Sequence, residues 1–160
     1  NFTVYDQAAQ IEEFSGMGTT LVAALVRGNK ATIVNVGDSR CYGINRSGIH
    51  QISRDHSLVQ LMVDRGELTA EVAKSYPGKN FITRAIGTEP VVESDLFHYH
   101  VDRGDCLLLC SDGLSNMMDD QEILFEVVHG ADPAQCCQRL LGIAVNRGAP
   151  DNVTSVLIKI

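Results

Sequence analysis

Antiparallel sheets covered by helices are the fold class that the sequence predicts, on three observations. Two pairs of apolar, partly β-branched segments, at 19–36 and 40–52, are each joined by a glycine-containing turn. Helical spacing takes over at 57–74 and again at 119–146, and a last alternating segment closes the chain at 153–160. The chain has 160 residues, 44% of them hydrophobic, which is enough for one compact unit that buries roughly 70% of its unfolded surface.

Each element has its own local reason. Phe2, Val4, Tyr5, Ala8, Ala9 and Ile11 are spaced like the tail of an amphipathic helix. After the turn at Ser15-Gly16-Met17-Gly18, the strands at 19–27 and 31–36 flank Gly28-Asn29 as a hairpin. A second hairpin places 40–44 and 49–52 around Asn45-Arg46-Ser47-Gly48. Ser57 then caps a helix carrying Leu58, Leu61 and Met62 that Gly66 stops, and Thr69 caps a short helix over 70–74. Pro77-Gly78 break into a loop poor in apolar residues, so the excursion is expected to be mobile.

Residues 96–101 alternate, and 105–110 is the continuous apolar run of a strand covered on both faces. Asp119 or Asp120 caps a helix with Ile123, Leu124, Val127 and Val128, and Asp132-Pro133 opens a longer one with Cys136, Leu140, Leu141, Ile143, Ala144 and Val145. In the last strand Val156, Ile158 and Ile160 share one face and Ser155, Leu157 and Lys159 the other. No repeat, linker or low-complexity tract marks a domain boundary.

A net charge of −7 with singly scattered basic residues argues against nucleic acid or an anionic membrane as partner. The five cysteines form neither a CxxC pair nor a secreted disulfide framework, which predicts a reducing, cytoplasmic setting. No apolar run approaches the ~20 residues that span a bilayer.

Three aspartates stand where strands should end, each beside a glycine or proline turn: Asp38 in Val36-Gly37-Asp38-Ser39-Arg40, Asp112 in Cys110-Ser111-Asp112-Gly113-Leu114, and Asp151 in Pro150-Asp151-Asn152. Carboxylates gathered at a sheet edge suit a hard divalent cation such as Mg²⁺ or Mn²⁺, and without one their repulsion is costly. Taken alone, the same residues also fit turn caps whose oxygens mimic backbone groups.

Six strings follow one another in order: Gly16-Met17-Gly18-Thr19-Thr20, Val34 to Arg40, Arg54-Asp55-His56-Ser57, Thr83-Arg84-Ala85-Ile86-Gly87, Cys110 to Leu114, and Pro150-Asp151-Asn152-Val153-Thr154. Together they resemble the metal-dependent type 2C protein phosphatases, most of all the compact bacterial members, over nearly the whole chain. The resemblance implies an α+β fold, a four-layer αββα sandwich of two antiparallel β-sheets flanked by helices, that hydrolyses phosphoserine and phosphothreonine on phosphorylated protein substrates. It implies Asp112 and Asp151 as catalytic metal ligands of a two-metal Mg²⁺ or Mn²⁺ centre, and Asp38 joining Asp112 around a third, weaker ion. It also implies a flap at about 57–87.

Family members begin with strands bearing a phosphate-binding arginine and an Asp-Gly-x-Gly-Gly string whose Asp bridges two metals, and neither precedes Gly16 here. The expectation is therefore that residues 1–160 are about the C-terminal two-thirds of one catalytic domain, incomplete at the N-terminus. Such a chain should be inactive by itself, bind metal weakly and self-associate through an uncovered sheet edge. The rival reading is a catalytically silent domain of the same fold that binds a partner or phosphopeptide. A further departure is Ser75-Tyr76-Pro77, where the family usually has His before Pro.

Other residues have plainer readings. His98 and His100 share a strand face without a third ligand nearby in sequence, and His56 is expected to fix a turn rather than transfer protons. Cys136 and Cys137 point to different helix faces and read as packing, Asp119 and Asp120 as helix caps, and Arg84 as an ion-pair partner.

Overall fold

A computed structural model describes residues 1–130 and 132–160. The chain folds as two compact units, one made of Asn1–Leu21, Asn35–Asp38 and Arg54–Asp95, the other of Val22–Val34, Ser39–Ser53 and Leu96–Ile160.

The first unit holds helices α1 (Phe2–Gln10), α2 (Leu58–Asp64) and α3 (Ala70–Lys74), with a 3-10 turn at Glu12–Phe14. The capping expected from sequence is present: the Ser57 side chain accepts the Gln60 N–H at 3.3 Å and the Thr69 side chain accepts that of Val72 at 3.4 Å. Gly66 sits at φ +71° just beyond α2, a left-handed conformation that favours glycine. Asn1 ties the start of α1 to the segment after residue 86, accepting the Gly87 N–H and donating to the carbonyls of Glu89 and Pro90. Leu58, Leu61, Val72, Phe81 and Ile82 remain exposed.

The second unit is layered. Strands β1 (Leu21–Arg27), β2 (Lys30–Val36) and β5 (Asp95–His100) form a sheet in the order β1-β2-β5. The other sheet has the order β4-β3-β6-β7, from β3 (Arg40–Asn45), β4 (Gly48–Gln51), β6 (Cys106–Cys110) and β7 (Ser155–Lys159), with antiparallel pairing throughout. The two hairpins thus lie in different sheets.

Side-chain alternation decides what each face meets. Cys41, Leu107, Leu109 and Ile158 of the four-stranded sheet pack with Val22, Ala24, Val26, Ala31, Ile33 and Phe97 of the three-stranded one. Their neighbours Tyr42, Ile44, Leu108, Cys110 and Leu157 point the other way, onto Leu114, Ile123, Val127, Cys136, Leu140 and Ala144 of helices α4 (Asp112–Ser115), α5 (Asp120–His129) and α6 (Pro133–Asn146). Leu107 and Leu108 are both wholly buried, the double coverage that the 105–110 run predicts. Gly43 makes the inter-sheet fit tight, since a Cβ there would stand 2.7 Å from the Tyr99 ring.

The predicted caps close both long helices. Asp119 and Glu122 form a reciprocal capping box on α5, and the Asp132 side chain accepts the Gln135 N–H ahead of Pro133 in α6. Helix α4, a single turn that begins at Asp112, is not among the elements expected from sequence.

Candidate metal centre

Strand β6 delivers Asp112 to the end of the four-stranded sheet, and the approach to β7 delivers Asp151. Ser111 draws the two segments together. Its hydroxyl donates to the Asn152 carbonyl at 3.1 Å and accepts the Thr154 N–H at 3.0 Å, while its own N–H donates to the Thr154 carbonyl at 3.1 Å. Gly113 then permits contact closer than any side chain would, because a Cβ there would run into the Asn152 carbonyl. The Ser-Asp-Gly string is thus a docking device for the Asp-Asn segment, and Asp112 and Asp151 are brought close enough to repel one another.

That repulsion shows in Asp112, whose carboxyl is pushed above the usual carboxylate range by burial and then by the charge of Asp151. The Gly113 N–H and the charge of Arg40 act in the opposite sense without cancelling it. Arg40 is aimed by Tyr42, whose buried hydroxyl accepts its guanidinium N–H at 3.0 Å. Asn116, one helical turn after Asp112, donates its amide N–H to Asp112 Oδ2 at 3.2 Å. Asp151 Oδ1 accepts the N–H of Asn152 at 2.7 Å, the local bond of a turn residue.

The donor set fits a hard divalent cation in kind. Both groups are carboxylates, and their repulsion is what such an ion relieves. It does not fit in number, for among the described residues no group of three His, Cys, Asp or Glu side chains is placed to hold a metal. The third predicted ligand, Asp38, stands in the first unit, just past the end of β2.

Ser111, Asn116 and the Arg40–Tyr42 pair are the contributors that sequence reasoning misses. Asn116 had a signal, its i+4 spacing from Asp112, whereas the role of Ser111 depends on a partner forty-one residues away. The other candidates keep their plain roles. His98 meets the Thr32 hydroxyl at 3.3 Å and His100 meets Asp102 at 3.1 Å. Cys136 is buried in the helical core with its thiol pushed up to about 11 by burial, which makes it a poor nucleophile.

The family model for protein phosphatase 2C matches residues 3–140. The chain belongs to that family. Among similar proteins is the serine/threonine protein phosphatase PstP of Mycobacterium tuberculosis, 42% identical over 153 residues that cover 94% of this chain and 29% of the relative. The solved structure of the serine/threonine phosphatase Stp1 from Staphylococcus aureus superposes with a TM-score of 0.95 at 41% identity, over 99% of this chain and 63% of that one. A structure of the catalytic domain of PstP in complex with two manganese ions superposes at 0.86 with 37% identity, over 98% of this chain and 64% of that one. This protein phosphatase 2C chain therefore spans less than two-thirds of the length of these relatives. The two antiparallel sheets with flanking helices are the architecture that the sequence resemblance implies.

Proposed function

We propose that the chain is part of a serine/threonine protein phosphatase that hydrolyses phosphoserine and phosphothreonine on phosphorylated proteins, with Asp112, Asp151 and Asp38 as ligands to Mg²⁺ or Mn²⁺. The observation that carries the reading is the juxtaposition of Asp112 with Asp151 through Ser111 and Gly113, in a chain of this family. When bound, the ions supply a water of lowered pKa and offset the charge of the phosphoryl group. Asp112 brings a carboxylate oriented by Asn116, Asp151 a second charge beside it, and Arg40 a fixed cation at the same sheet edge. The manganese in the PstP structure supports the choice of cation.

With at most the partial ligand set of Asp38, Asp112 and Asp151, this chain holds a divalent cation weakly and the ion keeps most of its water. Turnover by the chain alone is accordingly low, and the activity is proposed for the protein of which it is part. That same shortage of ligands among the described residues is what favours the second reading, a silent phosphatase-fold domain that binds a partner or phosphopeptide. The setting proposed is the cytoplasm, because all five cysteines are free and no helix among the described residues is long and apolar enough to cross a membrane. Neither nucleic acid nor membrane is proposed as a partner, given the net charge of −7.

The test is an assay of phosphothreonine peptide hydrolysis with and without Mn²⁺, on the full-length parent and its Asp112→Asn variant. Mn²⁺-dependent turnover by the parent, lost in the variant, is the expected result. Phosphopeptide binding without turnover would overturn the enzyme reading in favour of the silent domain.

A further inference from the structure

His56 lies in the first unit, is only 7% exposed, and has both ring nitrogens engaged. Its Nδ1 is 3.0 Å from the backbone nitrogen of Gly37, the residue before Asp38. A backbone N–H can only donate, so Nδ1 accepts and carries no proton. The ring proton is therefore on Nε2, which faces Asp95 Oδ2 at 3.2 Å.

Arg84 Nη1 also approaches Nε2, at 3.1 Å, but with a proton already there it finds its acceptors elsewhere. These are Asp95 Oδ1 at 2.7 Å and the Glu93 carbonyl at 3.2 Å. Each Asp95 oxygen thus takes one donor, one from Arg84 and one from His56. The backbone of His56 adds two more bonds, its N–H donating to the Gly37 carbonyl at 2.9 Å and its carbonyl accepting the Thr83 N–H at 2.8 Å.

Gly37 is therefore gripped on both sides by one histidine, through its N–H and through its carbonyl. The Asn35 side-chain amide adds a second donor to that carbonyl at 3.1 Å. Gly37 itself sits at φ +106°, where a Cβ would collide with the Thr20 side chain, so no other residue can take its place without strain. The turn that leads to Asp38 is held by these bonds, and His56 links it to Arg84 and Asp95.

We propose that His56 is a positioning residue, which accepts the Gly37 N–H through Nδ1 and donates from Nε2 to Asp95, and so sets the backbone from which Asp38 is presented. The proposal rests on Asp38 being a metal ligand, as proposed above. Its chemistry differs from that of a proton-transfer histidine, because both ring nitrogens are spent on fixed protein groups.

Two substitutions separate the bonds. In His56→Asn the amide oxygen stands near the place of Nδ1 and can still accept from Gly37, whereas in His56→Gln the amide nitrogen reaches the place of Nε2 and can still donate to Asp95. Amide exchange at Gly37, the tautomer from imidazole nitrogen shifts, and Mn²⁺ binding followed by paramagnetic broadening at residues 36–40 are measured on the 160-residue chain, with Asp38→Asn as reference.

The expected tautomer has its proton on Nε2. Gly37 exchange should quicken by about five- to tenfold in His56→Gln, the loss of one hydrogen bond, and by clearly less in His56→Asn. Mn²⁺ binding at residues 36–40 should weaken in His56→Gln in the same proportion, with His56→Asn partly restoring it. A proton on Nδ1, or equal Gly37 exchange and equal melting loss in both variants, would overturn the proposal. If Gly37 responds as expected while Asp38→Asn leaves Mn²⁺ binding unchanged, the fastening of the turn is supported and the ligand role of Asp38 is refuted.

Discussion

Gly113 and Asn152 meet so closely that the Asn152 carbonyl occupies the space where a Cβ of residue 113 would be. The contact sets the spacing between Asp112 and Asp151, so its relief should disturb both stability and metal binding. Gly113→Ala is expected to cost about 1–3 kcal/mol, the range for overpacking a tight contact. Gly142 is the matched control, since it lies inside α6 with nothing within 4 Å of an added Cβ. Gly142→Ala should stabilise by about 0.5–1 kcal/mol through helix propensity. Urea denaturation of the two variants checks the contrast, and an equal response would remove the spacing argument.

Asp112→Asn should separate the cost of the carboxylate from its use. Burial and Asp151 raise the Asp112 pKa, and a group with a raised folded value stabilises fully below its unfolded pKa and loses that contribution as pH rises through the folded one. At neutral pH without metal the isosteric amide is therefore no less stable than the acid. Mn²⁺ binding should nevertheless fall by about tenfold or more, since loss of even an outer partner of a metal ligand costs that much. Melting temperatures with EDTA and with Mn²⁺ read both effects. A variant destabilised in EDTA yet still stabilised by Mn²⁺ as the parent is would contradict the assignment.

The elements legible in the sequence are those with local causes. Ser57, Thr69, Asp119 and Asp132 cap helices by bonds to residues three positions on, the continuous apolar run at 105–110 is read directly as a strand covered on both faces, and the alternation in 153–160 as a strand with two distinct faces. Asp112 and Asp151 were legible as strand-end carboxylates, but their approach was not, because it depends on Ser111 bonding to Asn152 and on the empty space at Gly113. The division of the two hairpins between sheets was hidden for the same reason. It is fixed by the pairing of β3 with β6, more than sixty residues apart, and by the Tyr99 ring lying against Gly43.

The edge of the three-stranded sheet offers a test of self-association. β1 is the outer strand, and Leu21 and Leu25 are 43% and 54% exposed on the same face, with Leu96 of β5 exposed as well. An apolar edge strand invites pairing with a second chain. The chain should therefore show a sedimentation coefficient that rises with concentration, and Leu25→Lys should suppress the rise. A strictly monomeric chain at every concentration would discard the idea.

Glu122 and Arg147 give a pH dependence remote from the metal centre. The guanidinium donates to both carboxylate oxygens, at 2.8 Å and 2.5 Å, and the Asp119 N–H donates to one of them at 3.0 Å. These hydrogen bonds, that of Arg147 foremost, hold the Glu122 carboxyl down at about 2. A depressed folded value means that the contribution is present above the ordinary value of 4.5 and is lost as pH falls toward 2. Glu122→Gln keeps an oxygen to accept the Asp119 N–H and removes only the charge, so the cap survives and the ion pair does not. The melting-temperature gap between parent and variant should thus be widest near neutral pH and narrow steadily below 4.5. Salt should narrow it too, because the pair is solvent-exposed. A gap that stays constant from neutral pH down to about 2 would show that the contact stabilises the helix end through shape rather than through charge.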